Sequence, residues 1–204
     1  MSNTIWYRAK QGGLFMILTG EKVKVRNLNR QDIPLLVKWK NDPEIADLVR
    51  GGPIHTTFDM ECRRFEKSLT EYNTMRMIIE TLSRKPIGFI SLGEIDRDNR
   101  KAEIGMLIGE KEYWDQGYGT DSLITLLDYL FREKCLNRVG LEVFEYNTRA
   151  KRAYEKIGFT VEGVQRKGLF RKNAFYDVYL MGILREDFEA AHNRQHQNRN
   201  AGVR

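Results

Sequence analysis

The stretch from Ile104 to Leu130 restricts this chain more than any other. Ile104 to Ile108 read as a strand, Gln116-Gly117-Tyr118-Gly119-Thr120 as a glycine-bearing loop, and Leu123, Leu126, Leu127 and Leu130 repeat at helical spacing. Strand, tight glycine turn and helix in that order make an anion site. Glycine lets the backbone turn sharply and come close to a ligand, and the first free N–H groups of the helix then point at it.

A second stretch narrows the chemistry. Asn147, Ala150 and Tyr154 are spaced i, i+3, i+7, so a helix that starts near Asn147 carries all three on one face. Gly158 suits the left-handed residue that ends such a helix, and Phe159-Thr160-Val161 reads as the strand beyond it. One face thus offers a polar cap, a small residue that permits close approach, and a phenol.

Simpler explanations exist for each piece. A glycine pair before a helix is more often a turn than a cofactor loop, and a lone tyrosine is more often a packed aromatic with a satisfied hydroxyl. The missing Gly-Lys-Ser/Thr argues against a P-loop, and the lack of a third glycine in register after Gly119 fits a dinucleotide fingerprint poorly. The combination carries more weight than its parts. In order and spacing, Gln116-Gly117-Tyr118-Gly119-Thr120 and Asn147-x-x-Ala150-x-x-x-Tyr154-x-Lys156-x-Gly158-Phe159 resemble the GNAT superfamily of acyl-CoA-dependent N-acyltransferases. Ala102-Glu103-Ile104-Gly105, Tyr113-Trp114 and Tyr154-Glu155-Lys156-Ile157-Gly158-Phe159 look most like the branch holding ribosomal-protein N-terminal alanine acetyltransferases and spermidine N-acetyltransferases. The resemblance is specific over residues 102–163 and looser over 23–93. One position departs: many members carry Gln or Arg where this chain has Trp114, which leaves one phosphate contact unassigned.

The resemblance implies acetyl-CoA as acyl donor, with its pyrophosphate on the backbone amides of Gln116, Gly117, Tyr118, Gly119 and Thr120. It implies that Met106, Leu107 and Ile108 pair with the pantetheine arm in a gap where their strand splays from its neighbour. Asn147, Ala150 and Lys151 are further expected contacts, and Asp121 must point away from phosphate. A backbone N–H of Met106 to Ile108 would steady the oxyanion. Tyr154 is the expected acid for the departing thiolate. Glu103 is the first candidate base, through a water, followed by Glu94 and His55; an outward-facing Glu103 paired with a neighbouring base is an equal alternative. The acceptor is a primary amine, either a protein N-terminus or a small amine or polyamine, chosen by residues 42–65 and a loop at 168–175. A non-catalytic acyl-CoA-binding or sensing module is the competing function. A homodimer is expected from the resemblance alone.

Length, composition and charge bound the rest. A chain of 204 residues with 41% hydrophobic content suffices for one domain with a real core. No run reaches the apolar length of a membrane span, and the opening residues lack the order of a signal peptide. Cys62 and Cys135 have no metal or redox spacing, which suits a reduced, cytoplasmic setting. The net charge of +6 resides mostly at the ends: residues 1–20 and 190–204 hold five Lys and Arg and no acid, leaving 29 basic against 28 acidic residues between them. Nucleic-acid binding would rest on Arg194, Arg199 and Arg204 alone. His192 and His196 stand i, i+4 without an acidic or cysteine partner, so no metal is expected.

The expected organisation is an extension over 1–20, a catalytic domain over 21–189, and a disordered polar tail over 190–204. Val23 to Arg26 is the expected first strand, and Asp32 the expected cap of a helix over 33–40. Helices at 44–49 and 58–72, strands at 75–81, 86–94, 101–108, 138–145, 160–166 and 173–184 complete the reading, with Arg50-Gly51-Gly52-Pro53 as a loop. This order predicts an α/β (α+β) fold: a mixed, mostly antiparallel twisted sheet with helices on both faces.

Overall fold

The computed structural model describes residues 4–8, 14–49, 55–71 and 73–192. Nine strands form one sheet among them: β1 (Thr4–Arg8), β2 (Leu14–Thr19), β3 (Val23–Asn27), β4 (Met75–Thr81), β5 (Pro86–Asp96), β6 (Lys101–Ile108), β7 (Arg138–Phe144), β8 (Thr160–Arg171) and β9 (Ala174–Leu184). Their order is β1-β2-β3-β4-β5-β6-β7-β9-β8. Every neighbouring pair is antiparallel except β6 and β7, which run parallel.

Alternation along the strands divides the interior into two cores. Met77, Ile79, Ile90, Leu92, Ile104 and Met106 face one side and pack against helices α4 (Tyr118–Arg132) and α5 (Thr148–Ile157). Ile78, Phe89 and Leu107 face the other and meet α1 (Ile33–Asn41), α2 (Pro43–Leu48) and α3 (Phe58–Thr70). The expected arrangement of a mixed sheet with helices on both faces is the one observed. Leu123, Leu126, Leu127 and Leu130 are all buried, as their spacing requires.

Four expectations need correction. The described residues of the 1–20 extension belong to the sheet: β1 pairs with β2 and β2 with β3, and Met16 and Leu18 are 1% and 2% exposed in the main core. The segment has only short apolar alternation, so its membership depends on a partner strand that sequence spacing does not show. Asp32 does not cap α1 through its side chain. Asn29 instead caps a single 3-10 turn at Arg30–Asp32, while Asp32 is buried and accepts both guanidinium bonds of Arg26 at 2.8 and 2.9 Å. The loop at 168–175 is largely strand. A bulge near Gln165 and Leu169 carries β8 past Gly168, and only Lys172 and Asn173 turn the hairpin, both at positive φ. The tail begins later than 190, because residues 185–192 are helical (α6) and the His192 ring stacks on Phe188 at 4.1 Å. The loop at 50–53 and His196 lie outside the described residues.

Candidate active site

The site originates where β6 and β7 part. Their parallel pairing covers only Lys101, Ala102 and Glu103 against Arg138, Val139 and Gly140. Beyond that point β6 continues to Ile108 on the arm of β5 and β7 continues to Phe144 on the arm of β9. A wedge opens between them, and the amides of residues 104–108 that face β7 have no ladder partner there. This is the start of a cleft of about 1390 Å³ lined by both strands, the start of α4, and α5. Its volume exceeds the usual range for one small ligand and has room for two substrates.

The end of the cleft beside α4 is built around two glycines. Gly117 sits at φ +83, a conformation costly for any residue with a side chain, and α4 begins at the next residue with no side-chain cap. The N–H groups of its first turn are therefore free to bind an anion. Gly117, Gly119 and Thr120 line the cleft. A Cβ on Gly119 would come within 3.3 Å of the Met106 Cε, so glycine keeps the loop close to β6. Gln116 and Tyr118 act from behind: the Gln116 side-chain amide donates to the Glu112 carbonyl, and Tyr118 packs edge-on against Tyr113 at 5.0 Å. Asp121 points away from the anion site, as expected. Its carboxylate accepts from the backbone N–H of Glu21, Lys22 and Val23 at 2.8–3.1 Å, tying α4 to the β2–β3 turn.

The α5 side supplies the phenol. Asn147 caps the helix by accepting from the Ala150 N–H at 3.2 Å, and Gly158 ends it at φ +118. Asn147, Ala150 and Tyr154 share the face that lines the cleft. Tyr154 is 8% exposed, its ring is 5.9 Å from Phe159, and its hydroxyl has no hydrogen-bond partner among the described residues. Burial pushes its pKa up to about 12. The phenol therefore keeps its proton at any physiological pH.

Sequence reasoning named one α5 cation and passed over others that line the cleft. Lys151 pairs with Glu155 one turn on and lies over the Tyr179 ring at 5.5 Å, away from the cleft lining. Its neighbours Arg149 and Arg152, with Lys156, line the cleft instead. Arg149 stacks on Trp114 at 3.8 Å, and the Trp114 indole donates to the Ile108 carbonyl at 2.8 Å. The tryptophan that left a phosphate contact unassigned thus positions an arginine beside the donor groove. Its planar ring and the i, i+2 offset from Asn147 were the available signals.

Met106, Leu107 and Ile108 all line the cleft, and so does Glu103. The Glu103 carboxylate lies over Gly140 and shares Arg138 with Glu162, with 3.2 Å between Glu103 and Arg138. It is both a cleft residue and an ion-pair partner. His55 is exposed and absent from the lining; the Glu94 side chain lies outside the described residues.

The opposite wall holds a feature that the sequence did not disclose. Glu61 is 0% exposed and binds Lys40 at 2.9 Å, Arg76 at 3.0 Å and Arg64, with the Thr56 hydroxyl donating at 3.0 Å. Burial alone would raise its pKa, but the three cations outweigh that and hold it at about 2.

A splayed parallel pair, a glycine turn feeding a helix N-terminus, and a phenol in the gap define a protein that holds a phosphate-tailed thioester. Comparison places it: the chain belongs to the acetyltransferase (GNAT) domain family, whose profile matches residues 22–160. It is an N-acetyltransferase that uses acetyl-CoA as donor. Among its relatives are the spermidine N(1)-acetyltransferase of Vibrio cholerae, 26% identical over 82% of this chain and 95% of the relative, and the putative ribosomal N-acetyltransferase YdaF of Bacillus subtilis, 37% identical over 50% and 55%. The crystal structure of the Vibrio cholerae spermidine N-acetyltransferase in complex with CoA and spermine superposes with a TM-score of 0.77. It is 26% identical and covers 81% of this chain and 97% of that one.

Proposed function

We propose that this protein transfers an acetyl group from acetyl-CoA to a primary amine by direct attack of the amine on the thioester, with Tyr154 as proton donor and Glu103 as proton acceptor. The observation that carries this reading is the wedge: β6 and β7 stop pairing at Glu103 and Gly140, and Tyr154 stands in the gap.

Each residue has a task set by its position. Amides at the start of α4 and the Arg149 guanidinium bind the donor's phosphates. The unpaired edge of Met106, Leu107 and Ile108 holds the pantetheine arm and places an N–H at the carbonyl oxygen where charge develops. Asn147 and Ala150 keep that face of α5 close. Tyr154 donates a hydrogen bond to the sulfur as the C–S bond breaks. Full transfer from a phenol at about 12 to a thiolate whose acid form lies near 8.5 runs uphill by roughly 3–4 pK units, so hydrogen bonding rather than early proton loss is its main contribution. Glu103 takes up the amine proton through a water, oriented by Arg138.

A polycation suits this cleft poorly. Asp42 and Glu44 both pair with Lys111, Asp47 pairs with Lys172, and Glu61 is enclosed by its cations. The spermidine named for the relative is therefore not the acceptor proposed here; a protein N-terminus or another small primary amine is. A homodimer and a cytoplasmic location belong to the same proposal. No helix among the described residues is long and apolar enough to cross a membrane.

Thiol release from acetyl-CoA, measured against peptides, polyamines, aminoglycosides and amino sugars, tests the reading. Release with at least one non-polyamine amine, together with recovery of its acetylated product, is expected. Tight acetyl-CoA binding without transfer to any amine would overturn it in favour of a sensing module.

A further inference from the structure

The charge of the acceptor wall points to a particular kind of amine. We propose that the acceptor carries an oxyanion, a carboxylate or a phosphate, which binds the Lys40–Arg64–Arg76 cluster while its amine reaches the wedge. The inference rests on the transferase reading and adds what lies at the acceptor's other end.

The first argument is charge. Eight Lys and Arg line the cleft against five Asp and Glu, although the body of the chain is nearly balanced. Some of that excess serves the donor's phosphates, but Lys40, Arg64 and Arg76 lie on the far wall, on α1, α3 and β4. Among the described residues their one shared counter-charge is Glu61, which leaves the three cations and that carboxylate with two formal positive charges.

The second argument is arrangement. The Glu61 side chain is 0% exposed and does not line the cleft, whereas the cations around it are 23%, 45% and 12% exposed and do. The carboxylate sits behind and fixes the cations, and the Arg76 Nη1 beside them is buried with no hydrogen-bond partner among the described residues. Lys40 and Arg76 are further held over the Phe89 ring at 5.4 and 5.2 Å. Such a pre-set cluster loses little side-chain freedom on receiving an anion.

The third argument is register. Arg76 pairs with Ser91 and Ser91 with Gly105, so the three share a row and a face of the sheet; Gly93 and Glu103 pair on that face one step along. Arg76 is therefore two strand spacings, ~10 Å, from β6. The floor between them is low. A Cβ on Gly93 would meet nothing within 4 Å, and one on Gly105 only the Ser91 hydroxyl at 3.1 Å. An extended acceptor laid along this row would have its anion at Arg76 and its amine near Glu103 and the thioester.

Matched pairs of acceptors test the proposal. One pair is 6-aminohexanoate and 6-aminohexanamide, and the other glucosamine 6-phosphate and glucosamine; they separate carboxylate from phosphate. In thiol-release assays the anionic member of at least one pair should have a kcat/KM about tenfold higher than its neutral mate. Arg64→Gln should bring that ratio close to one, chiefly through KM, and Arg64→Lys should restore part of it. A merely structural loss would lower both members alike. Equal rates within both pairs, or a preference for the neutral members, would overturn the proposal while leaving the transferase reading intact. Calorimetry of the CoA-saturated protein with 6-acetamidohexanoate, N-acetylglucosamine 6-phosphate and their neutral counterparts gives an answer that needs no turnover. Binding of an anion in preference to its neutral mate supports the proposal, and equal or no binding overturns it, so a protein that binds CoA but transfers nothing fails only the transferase reading.

Discussion

At the residue scale, the phenol and the carboxylate of the cleft make separable contributions. Tyr154→Phe keeps the ring that packs against Phe159 and removes only the donor, so turnover should fall roughly a hundredfold while acetyl-CoA affinity is retained. Its raised pKa adds a second test. A neutral acid is competent below its pKa, and with that value near 12 the native enzyme's kcat should show no falling alkaline limb up to pH 10. For Glu103→Gln the loss should depend on the acceptor. An N-terminal amine of pKa about 7.7–8.0 is partly neutral at pH 7, whereas one near 10.4 is not, so the substitution should slow the more basic amine by the larger factor. Equal losses, measured on peptides and alkylamines, would remove Glu103 as base. Asn147, Ala150 and Tyr154 were legible as neighbours because helix periodicity fixes their common face, and Gly158 because a left-handed residue closes the helix. Arg149 was not, since its place follows from stacking on Trp114, a contact between two elements.

At the scale of elements, the Glu61 cluster joins α1, α3 and β4 through one buried carboxylate. Its folded pKa of about 2 lies below the unfolded value of 4.5, so its stabilisation is complete above pH 5 and is lost as the pH falls towards 2. The difference is about 3 kcal/mol. Glu61→Gln should lower stability at pH 7 by about 3–5 kcal/mol, because the cations lose their shared partner. Urea titrations from pH 7 to pH 3 should show the gap between native and variant proteins narrowing as acid increases. The sequence placed Glu61 on the correct helix, one turn before Arg64, but gave no sign of its role, because Lys40 and Arg76 reach it from α1 and β4, elements distant in sequence. Asp32 is similar. Its position suited a cap, yet the nearby Arg26 offers two charge-assisted bonds and takes the carboxylate inward.

At the scale of the whole molecule, the fold was readable where elements alternate with clear periods, from β3 through β9. It was least readable at the ends, where membership is decided by pairing. Removing residues 1–20 deletes β2 and with it the buried Met16 and Leu18. It also removes Gly20 from the turn whose next residues Asp121 holds. Loss of two core side chains costs several kcal/mol, so that truncation should lower the melting temperature markedly or leave the protein insoluble, whereas removing 193–204 should preserve both stability and turnover. Differential scanning calorimetry on the two truncations distinguishes the cases.

Where β6 and β7 part, the sheet has an open seam that its own substrate can stitch. Those amides of residues 104–108 that face β7 should exchange their hydrogens readily in the free protein and slowly once acetyl-CoA is bound, if the pantetheine serves as a splint along that edge, whereas those bonded to β5 should be slow in both states. The catalyst would thus be stiffest at the moment it is loaded, and release of the spent thiol would return the seam to its looser state.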